Sequence, residues 1–256
     1  MGNTSLYGLI GYPLSHSFSQ GYFSEKFVNE GYHGYSYRNF PIGSIQELPS
    51  LLAQHSDLCG FNVTIPYKEQ IIPYIDEIDS IADEIGAVNT VLVARNGKEL
   101  YLKGFNTDVY GFGQSLEEWF RLHQAEFPRQ ALVLGTGGAS KAVVYALSRL
   151  NIDTHLISRK EDNKVYKTYR QLDESDITAH ALIINTTPLG MFPNTGECPK
   201  LPYQYLSKKH FLYDLIYNPA ETLFMRRGRE MGAAVYNGEH MLHLQADKSW
   251  SIWQGK

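Results

Sequence analysis

The chain has 256 residues, with 23 Lys and Arg against 27 Asp and Glu, a formal net charge of -4, 43% apolar residues and 20% charged ones. That composition excludes a disordered chain, and the scattered basic residues leave no electrostatic footprint for nucleic acid. Cys59 and Cys198 are too few for a disulfide framework and have no second thiol at redox or zinc spacing, while the start, MGNTSLYGLIGYPL, lacks the basic segment and long hydrophobic run of a signal peptide. The expectation is a cytoplasmic protein with no membrane span and no nucleic-acid partner.

Taken in chain order, the pattern predicts a strand at Leu6 to Gly11, a helix around Ser19 to Glu30 and a strand at Tyr35 to Phe40. A helix near Ile45 to Gln54, a strand at Gly60 to Ile65 and a short helix opening at Pro66 follow. Ala87 to Ala94 and Glu99 to Gly104 form a hairpin through Asn96-Gly97. Asp108 to Leu122 is a helix with Phe112, Leu116, Trp119 and Phe120 on one face. Beyond it, strands at Ala131 to Gly135, Thr154 to Ser158, Leu182 to Asn185, Phe211 to Leu215 and Ala234 to Tyr236 alternate with helices. Alternation of that kind calls for a parallel, doubly wound sheet. A last helix covers about Glu239 to Trp253. The fold class is α/β in two units.

ALVLGTGGAS, Ala131 to Ser140, runs a strand into a glycine turn and a helix, the place for a dinucleotide pyrophosphate. Gly135 lets the chain turn sharply, and Gly137 removes the side chain that would block phosphate from the backbone N–H groups. Ser140 stands at the third glycine position of the fingerprint, and a tight strand-to-helix turn in any α/β domain is the alternative. The next strand ends in Ser158-Arg159-Lys160, where an NAD-binding unit usually carries Asp or Glu. A guanidinium there can hold a ribose 2′-phosphate through bonds of about 1.5 to 3 kcal/mol each, which favours NADP; a solvated basic turn is the alternative, and the turn's distance from Gly135 favours the first.

The chemistry is expected in the first unit. Asn62 to Lys68 reads NVTIPYK and places polar side chains at a strand end. Thr64 is as readily a helix cap as a ligand. Lys68, in the first turn of the helix predicted at Pro66, faces the positive end of the macrodipole, which disfavours its charged form and suits a proton-exchanging group. Asn106-Thr107-Asp108 starts a helix with a carboxylate, for which a structural cap is the alternative.

These blocks, in this order, make the chain resemble the shikimate dehydrogenase family over nearly its whole length. They are Ser17-Phe18-Ser19 after Gly11-Tyr12-Pro13, Asn62 to Lys68, Gly86 to Thr90, Gly104 to Asp108, the glycine turn, Asn185 to Met191, and Asp214 to Pro219 followed by Thr222. The resemblance implies an N-terminal α/β substrate-binding domain, residues 1–106 with the returning segment 238–256, and a Rossmann-like NADP-binding domain, residues 107–237. It implies that Ser17, Ser19, Asn62, Thr64, Asn89, Asp108, Tyr217 and Gln245 hold the carboxylate and hydroxyls of shikimate, with Lys68 as proton donor and acceptor. It assigns the cofactor to Gly135, Thr136, Gly137, Gly138, Ala139 and Ser140, to Ser158 and Arg159, and to Thr186, Leu215, Gly238 and Met241. NADPH would reduce the C3 ketone of 3-dehydroshikimate in a cleft between the two domains.

The chain departs from the family pattern at three places. Gln20 replaces a proline after the second serine, Lys160 to Lys164 replaces the usual threonine and later basic residue, and Gly238-Glu239-His240-Met241 replaces Gly-Leu-Gly-Met. The alternatives are a quinate/shikimate dehydrogenase accepting NAD and a non-catalytic NADP-binding sensor. His240 and His243 lack further ligands near them in sequence, so no metal is expected. Tyr35 and Tyr37 alternate as on a half-buried strand and read as packing. Monomer and homodimer are both compatible with the sequence.

Overall fold

The computed structural model describes residues 4–14, 18–97, 99–163 and 165–255. They form two compact units, Met1–Thr107 with Ala246–Lys256, and Asp108–Gln245. The return to the first unit falls inside the last helix, between Gln245 and Ala246, and not at 238 as the sequence suggests. Its first half packs within the second unit, against Gly111, where a Cβ would come 2.6 Å from the Met241 carbonyl oxygen. Ala246, Trp250 and Trp253 belong to the core of the first unit.

The first unit is built on a sheet of order β2-β1-β3-β5-β6-β4. Its strands are β1 (Ser5–Gly11), β2 (Tyr35–Pro41), β3 (Leu58–Val63), β4 (Glu77–Ile78), β5 (Thr90–Asn96) and β6 (Glu99–Phe105). β1 runs parallel to β2 and β3, whereas β5 is antiparallel to β3 and β6. The hairpin is present, in register from Thr90↔Phe105 to Asn96↔Glu99, with Gly97 at φ 62°. One face packs Leu6, Ile10, Leu48, Phe61 and Val88; the other packs α1 (Phe18–Asn29) through Phe23 and Phe27 with Tyr37, Trp250 and Trp253. The region predicted as one helix at Ile45 divides into a 3-10 turn, Ile45–Glu47, capped by Ser44, and α2 (Leu48–Gln54).

Two sequence expectations fail here. No helix opens at Pro66: the chain makes turns until a 3-10 segment at Ile72–Tyr74. The reason is tertiary, because the Lys68 carbonyl accepts from Val88 N over 2.7 Å instead of from a residue one helical turn on. There is therefore no helix dipole at Lys68. A helix absent from the sequence reading, α3 (Ser80–Ile85), is present; Asp79 Oδ1 accepts from Ile81 N, and Gly86 closes its end at φ 67°.

The second unit has α4 (Asp108–Leu122), β7 (Gln130–Leu134), α5 (Gly138–Arg149), β8 (Asp153–Ser158), β9 (Lys167–Thr168), α6 (Glu174–Ala179) and β10 (Leu182–Asn185). β11 (Phe211–Asp214), α7 (Leu223–Glu230), β12 (Ala234–Tyr236) and α8 (Glu239–Trp253) follow. Every pairing among its strands is parallel, in the order β12-β11-β10-β7-β8-β9, the doubly wound pattern with a switch point between β7 and β10. β9, like β4 two residues long, is a strand that sequence periodicity did not reveal. α4 and α5 cover one face through Phe112, Leu116 and Val143, while Ile177 and Phe224 cover the other from α6 and α7. Among the described residues no helix is long and apolar enough to cross a membrane.

Candidate active site

In the first unit, Asn62 and Asn89 belong to a buried polar network. Gly11 ends β1 beside Thr64, and Tyr12 N donates to Ile65 O over 3.1 Å, which brings two sequence-distant blocks side by side. Thr64 follows β3 and is half-buried, its N–H bonded to Ile10 O; Tyr67 N bonds back to Thr64 O in a turn. Lys68 is half-buried and held by its carbonyl as described above. Ser17 lies outside the described residues. Ser19 is buried in the first turn of α1, and its side chain lowers the Tyr37 phenol pKa against the larger effect of burial.

Asn62 is engaged at both ends of its amide. Its Oδ1 accepts from Tyr37 Oη at 2.8 Å, and its Nδ2 faces Thr90 Oγ1 and Ser249 Oγ, each at 3.0 Å. Asn89, at 2% exposure, donates from Nδ2 to Thr107 Oγ1 at 3.0 Å, and its Oδ1 accepts from Thr107 N at 2.7 Å. Ser249 Oγ also lies 2.8 Å from Thr90 Oγ1 and 3.2 Å from Thr107 Oγ1. Thr107 in turn immediately precedes Asp108. Sequence reasoning missed Tyr37, Thr90 and Ser249. Tyr37 occupies a strand position that packing alone explains, and burial drives its phenol pKa strongly upward, opposed by the Ser19 side chain.

In the second unit, Asp108 is the first residue of α4 and is buried, so the predicted helix start is in place. Gly135 leaves β7 at φ 110°, and a Cβ there would lie 2.8 Å from Thr186 Oγ1. Thr186 Oγ1 donates to Leu134 O over 2.7 Å, so the ends of β7 and β10 are joined at the switch point. Gly137 caps α5 in an extended conformation with no side-chain cap, and a Cβ on it would meet nothing within 4 Å. Ser140 turns its hydroxyl onto Gly137 O at 2.6 Å. The N-terminus of α5 is therefore left without a side-chain cap, at the kind of helix end where backbone N–H groups receive an anion. Ser158 ends β8, and Arg159 and Lys160 beyond it are exposed.

Leu215 and Gly238 also meet. Gly238 N donates to Ile216 O at 3.1 Å, and a Cβ on Gly238 would collide with the Leu215 backbone. Behind this turn lies a buried carboxyl that the sequence reading placed only within a motif. Asp214 Oδ1 accepts from Asn185 Nδ2 at 3.0 Å and Ile216 N at 3.1 Å, and Oδ2 accepts from Thr222 Oγ1 at 2.6 Å. Burial pushes its pKa up to about 6, against the lowering effect of those three bonds. Asn185 Oδ1 accepts from Thr187 N and Oγ1, so one buried pair braces both turns. Tyr217 is half-buried in the turn after β11, Met241 is buried in α8, and Gln245 is half-buried near the division between the units. His240 Nε2 pairs with Glu118 Oε2 at 2.7 Å, and among the described residues no three metal-ligating side chains converge. Two observations fit NADP to this edge: the uncluttered α5 terminus, and the buried Tyr169 Oη, which has no partner among the described residues and lies within reach of the Arg159 charge.

Residues 9–91 match the family model for the shikimate dehydrogenase substrate binding domain. A Caldanaerobacter subterraneus protein named shikimate dehydrogenase (NADP(+)) is 37% identical over 99% of this chain and 92% of its own length. The chain belongs to the shikimate dehydrogenase family. Solved members of that fold superpose along the whole chain. Shikimate 5-dehydrogenase from Thermus thermophilus, in complex with NADP(H) and shikimate, gives a TM-score of 0.84 at 27% identity, covering 99% of this chain and 94% of that one. Quinate dehydrogenase from Corynebacterium glutamicum, in complex with NAD, gives 0.84 at 28% identity, covering 100% and 95%.

Proposed function

We propose that this chain is a cytoplasmic NADP-dependent shikimate dehydrogenase that reversibly reduces 3-dehydroshikimate to shikimate in aromatic amino acid biosynthesis. One observation carries the reading: a full-length relationship to an enzyme of that name, in a chain that retains Lys68, Asp108 and the glycine turn. When bound, NADPH supplies hydride to C3 of the substrate. Lys68 donates the matching proton to the oxygen that becomes the C3 hydroxyl, and takes it back in the oxidative direction. One C–H and one O–H bond form as the carbonyl π bond breaks, so hydride and proton balance.

Ser17, Ser19, Thr64, Asn89, Tyr217 and Gln245 are the groups proposed to hold the substrate's carboxylate and hydroxyls. Asp108 supplies a carboxylate at the start of α4, where the macrodipole favours its charge. Asn62 acts through Tyr37, Thr90 and Ser249. A small polyol acid suits such a set, because each hydroxyl left without a partner in a closed site costs binding. For the cofactor, Gly137 to Ala139 receive the pyrophosphate at the α5 N-terminus, and Arg159 receives the 2′-phosphate.

The test is NADPH oxidation by the purified chain with 3-dehydroshikimate, compared with NADH and with quinate oxidation by NAD. Turnover confined to NADPH and 3-dehydroshikimate is expected. Faster turnover of quinate with NAD would favour the second reading, which the likeness to the NAD-bound quinate dehydrogenase supports. No turnover with any pair would leave a binding protein.

A further inference from the structure

Tyr169 is the first residue beyond β9, and its N–H donates to Ser158 O over 3.1 Å. The register pairs Ser158 with Thr168, so β9 carries Tyr169 alongside the end of β8, where Arg159 begins the turn. Its ring packs against the cluster that contains Leu134, Ile157 and Leu172, which fixes it to the sheet. Its Oη is fully buried and has no hydrogen-bond partner among the described residues. Burial pushes the phenol pKa up to about 12 and the Arg159 charge opposes that shift, so the group stays protonated at neutral pH and lies within electrostatic reach of the guanidinium.

A buried donor without an acceptor destabilises a fold and calls for an explanation. Here the donor belongs to a residue whose backbone is bonded to Ser158, the neighbour of an exposed arginine, at the end of the strand where an adenosine ribose is recognised in doubly wound sheets. The nearby acid does not fill the role of acceptor: Glu161 Oε1 accepts from Gln171 Nε2 at 3.1 Å, while Gln171 Oε1 accepts from Thr168 N at 2.7 Å. Those bonds fasten the 159–163 turn to β9 on the side of Gln171. An anion at Arg159 would supply the missing acceptor.

We infer that Tyr169 is a specificity-determining residue of the cofactor site, whose hydroxyl donates to the ribose 2′-phosphate held by Arg159. The inference rests on the NADP reading above. It also explains how the chain manages without the family's usual residues after Arg159: the second group of the grip comes from β9 and not from the turn.

The experiment is calorimetric titration of the full chain with 2′,5′-ADP and with 5′-ADP, for wild type, Tyr169→Phe and Arg159→Ala. Wild type binds 2′,5′-ADP more tightly than 5′-ADP. Tyr169→Phe weakens 2′,5′-ADP about tenfold, the scale of one hydrogen bond to a charged group, and leaves 5′-ADP within about twofold. Arg159→Ala shows the same selectivity with a larger loss. The melting temperature of the ligand-free Tyr169→Phe protein stays level or rises, because a buried hydroxyl with no partner among the described residues has been removed. Equal weakening of both nucleotides, or none, overturns the inference and leaves Tyr169 as packing. If wild type itself fails to prefer 2′,5′-ADP, the NADP reading falls and this inference falls with it; if wild type prefers it and Tyr169→Phe retains the preference, only the inference falls.

Discussion

The Tyr37 hydroxyl donates to Asn62 Oδ1 across 2.8 Å, and that bond joins β2 to β3, two strands separated in the sheet by β1. It fixes which way the Asn62 amide faces. With Oδ1 directed at the phenol, Nδ2 is directed at Thr90 and Ser249, and Ser249 then reaches Thr107, which Asn89 also grips. One hydroxyl on an aromatic strand residue therefore governs how side chains on β3, β5 and α8 are paired.

Tyr37→Phe should destabilise the first unit by about 1 to 3 kcal/mol, because it leaves Asn62 Oδ1 buried without a donor. Ser249→Ala removes an acceptor from the other end of the same amide. In urea unfolding the two substitutions are expected to be non-additive, with a coupling of about 0.5 kcal/mol or more. Strict additivity would mean that the bonds act independently and that Asn62 transmits nothing between them.

Lys68→Ala tests the proton role on a different footing from the sequence argument, since no helix dipole acts at that position. A general acid used in the transition state typically contributes about 10²- to 10⁴-fold. The expected result is a fall in kcat of that order, with the shikimate-induced melting shift within about a degree or two of wild type, as a group acting mainly in the transition state predicts. A kcat within about threefold of wild type would remove Lys68 from the reaction.

The cofactor edge was legible in the sequence because its signals are local. Ala131 to Ser140 encodes strand, turn and helix in ten adjacent residues, and Asp108 marks the start of α4 by itself. α3 carried equally local signals in Asp79 and Gly86 that periodicity passed over. The helix expected at Pro66 is absent for a physical reason: the bond from Val88 N to Lys68 O spans 20 positions and outcompetes the helical turn that a proline favours. Tyr37 and Ser249 were hidden more deeply. Their bonds to Asn62 bridge 25 and 187 positions, and no spacing rule announces a partner at such range. β9 is too short for alternation to register, although it is the strand that brings Tyr169 to Ser158.

The last prediction concerns Asp214, whose folded-state pKa is raised from an ordinary 3.8 to about 6 by burial. Because the folded protein holds this proton more tightly than the unfolded chain, the carboxyl's contribution to stability is fully present below about pH 4 and declines as pH rises through about 6. The difference between 3.8 and about 6 corresponds to about 3 kcal/mol at about 1.4 kcal/mol per tenfold, all of it lost by about pH 7. Asp214→Asn keeps the shape and has no such proton. Its Oδ1 can still accept from Asn185 and Ile216, while its Nδ2 faces Thr222 Oγ1, a hydroxyl able to accept as well as donate. Measured by urea unfolding from pH 4 to 8, the variant should therefore gain on wild type as pH rises between about 4 and 6, and the gap should be constant above about pH 7. A gap independent of pH would show that Asp214 titrates alike in both states, and its bonds to Thr222, Ile216 and Asn185 would then offset its burial in full.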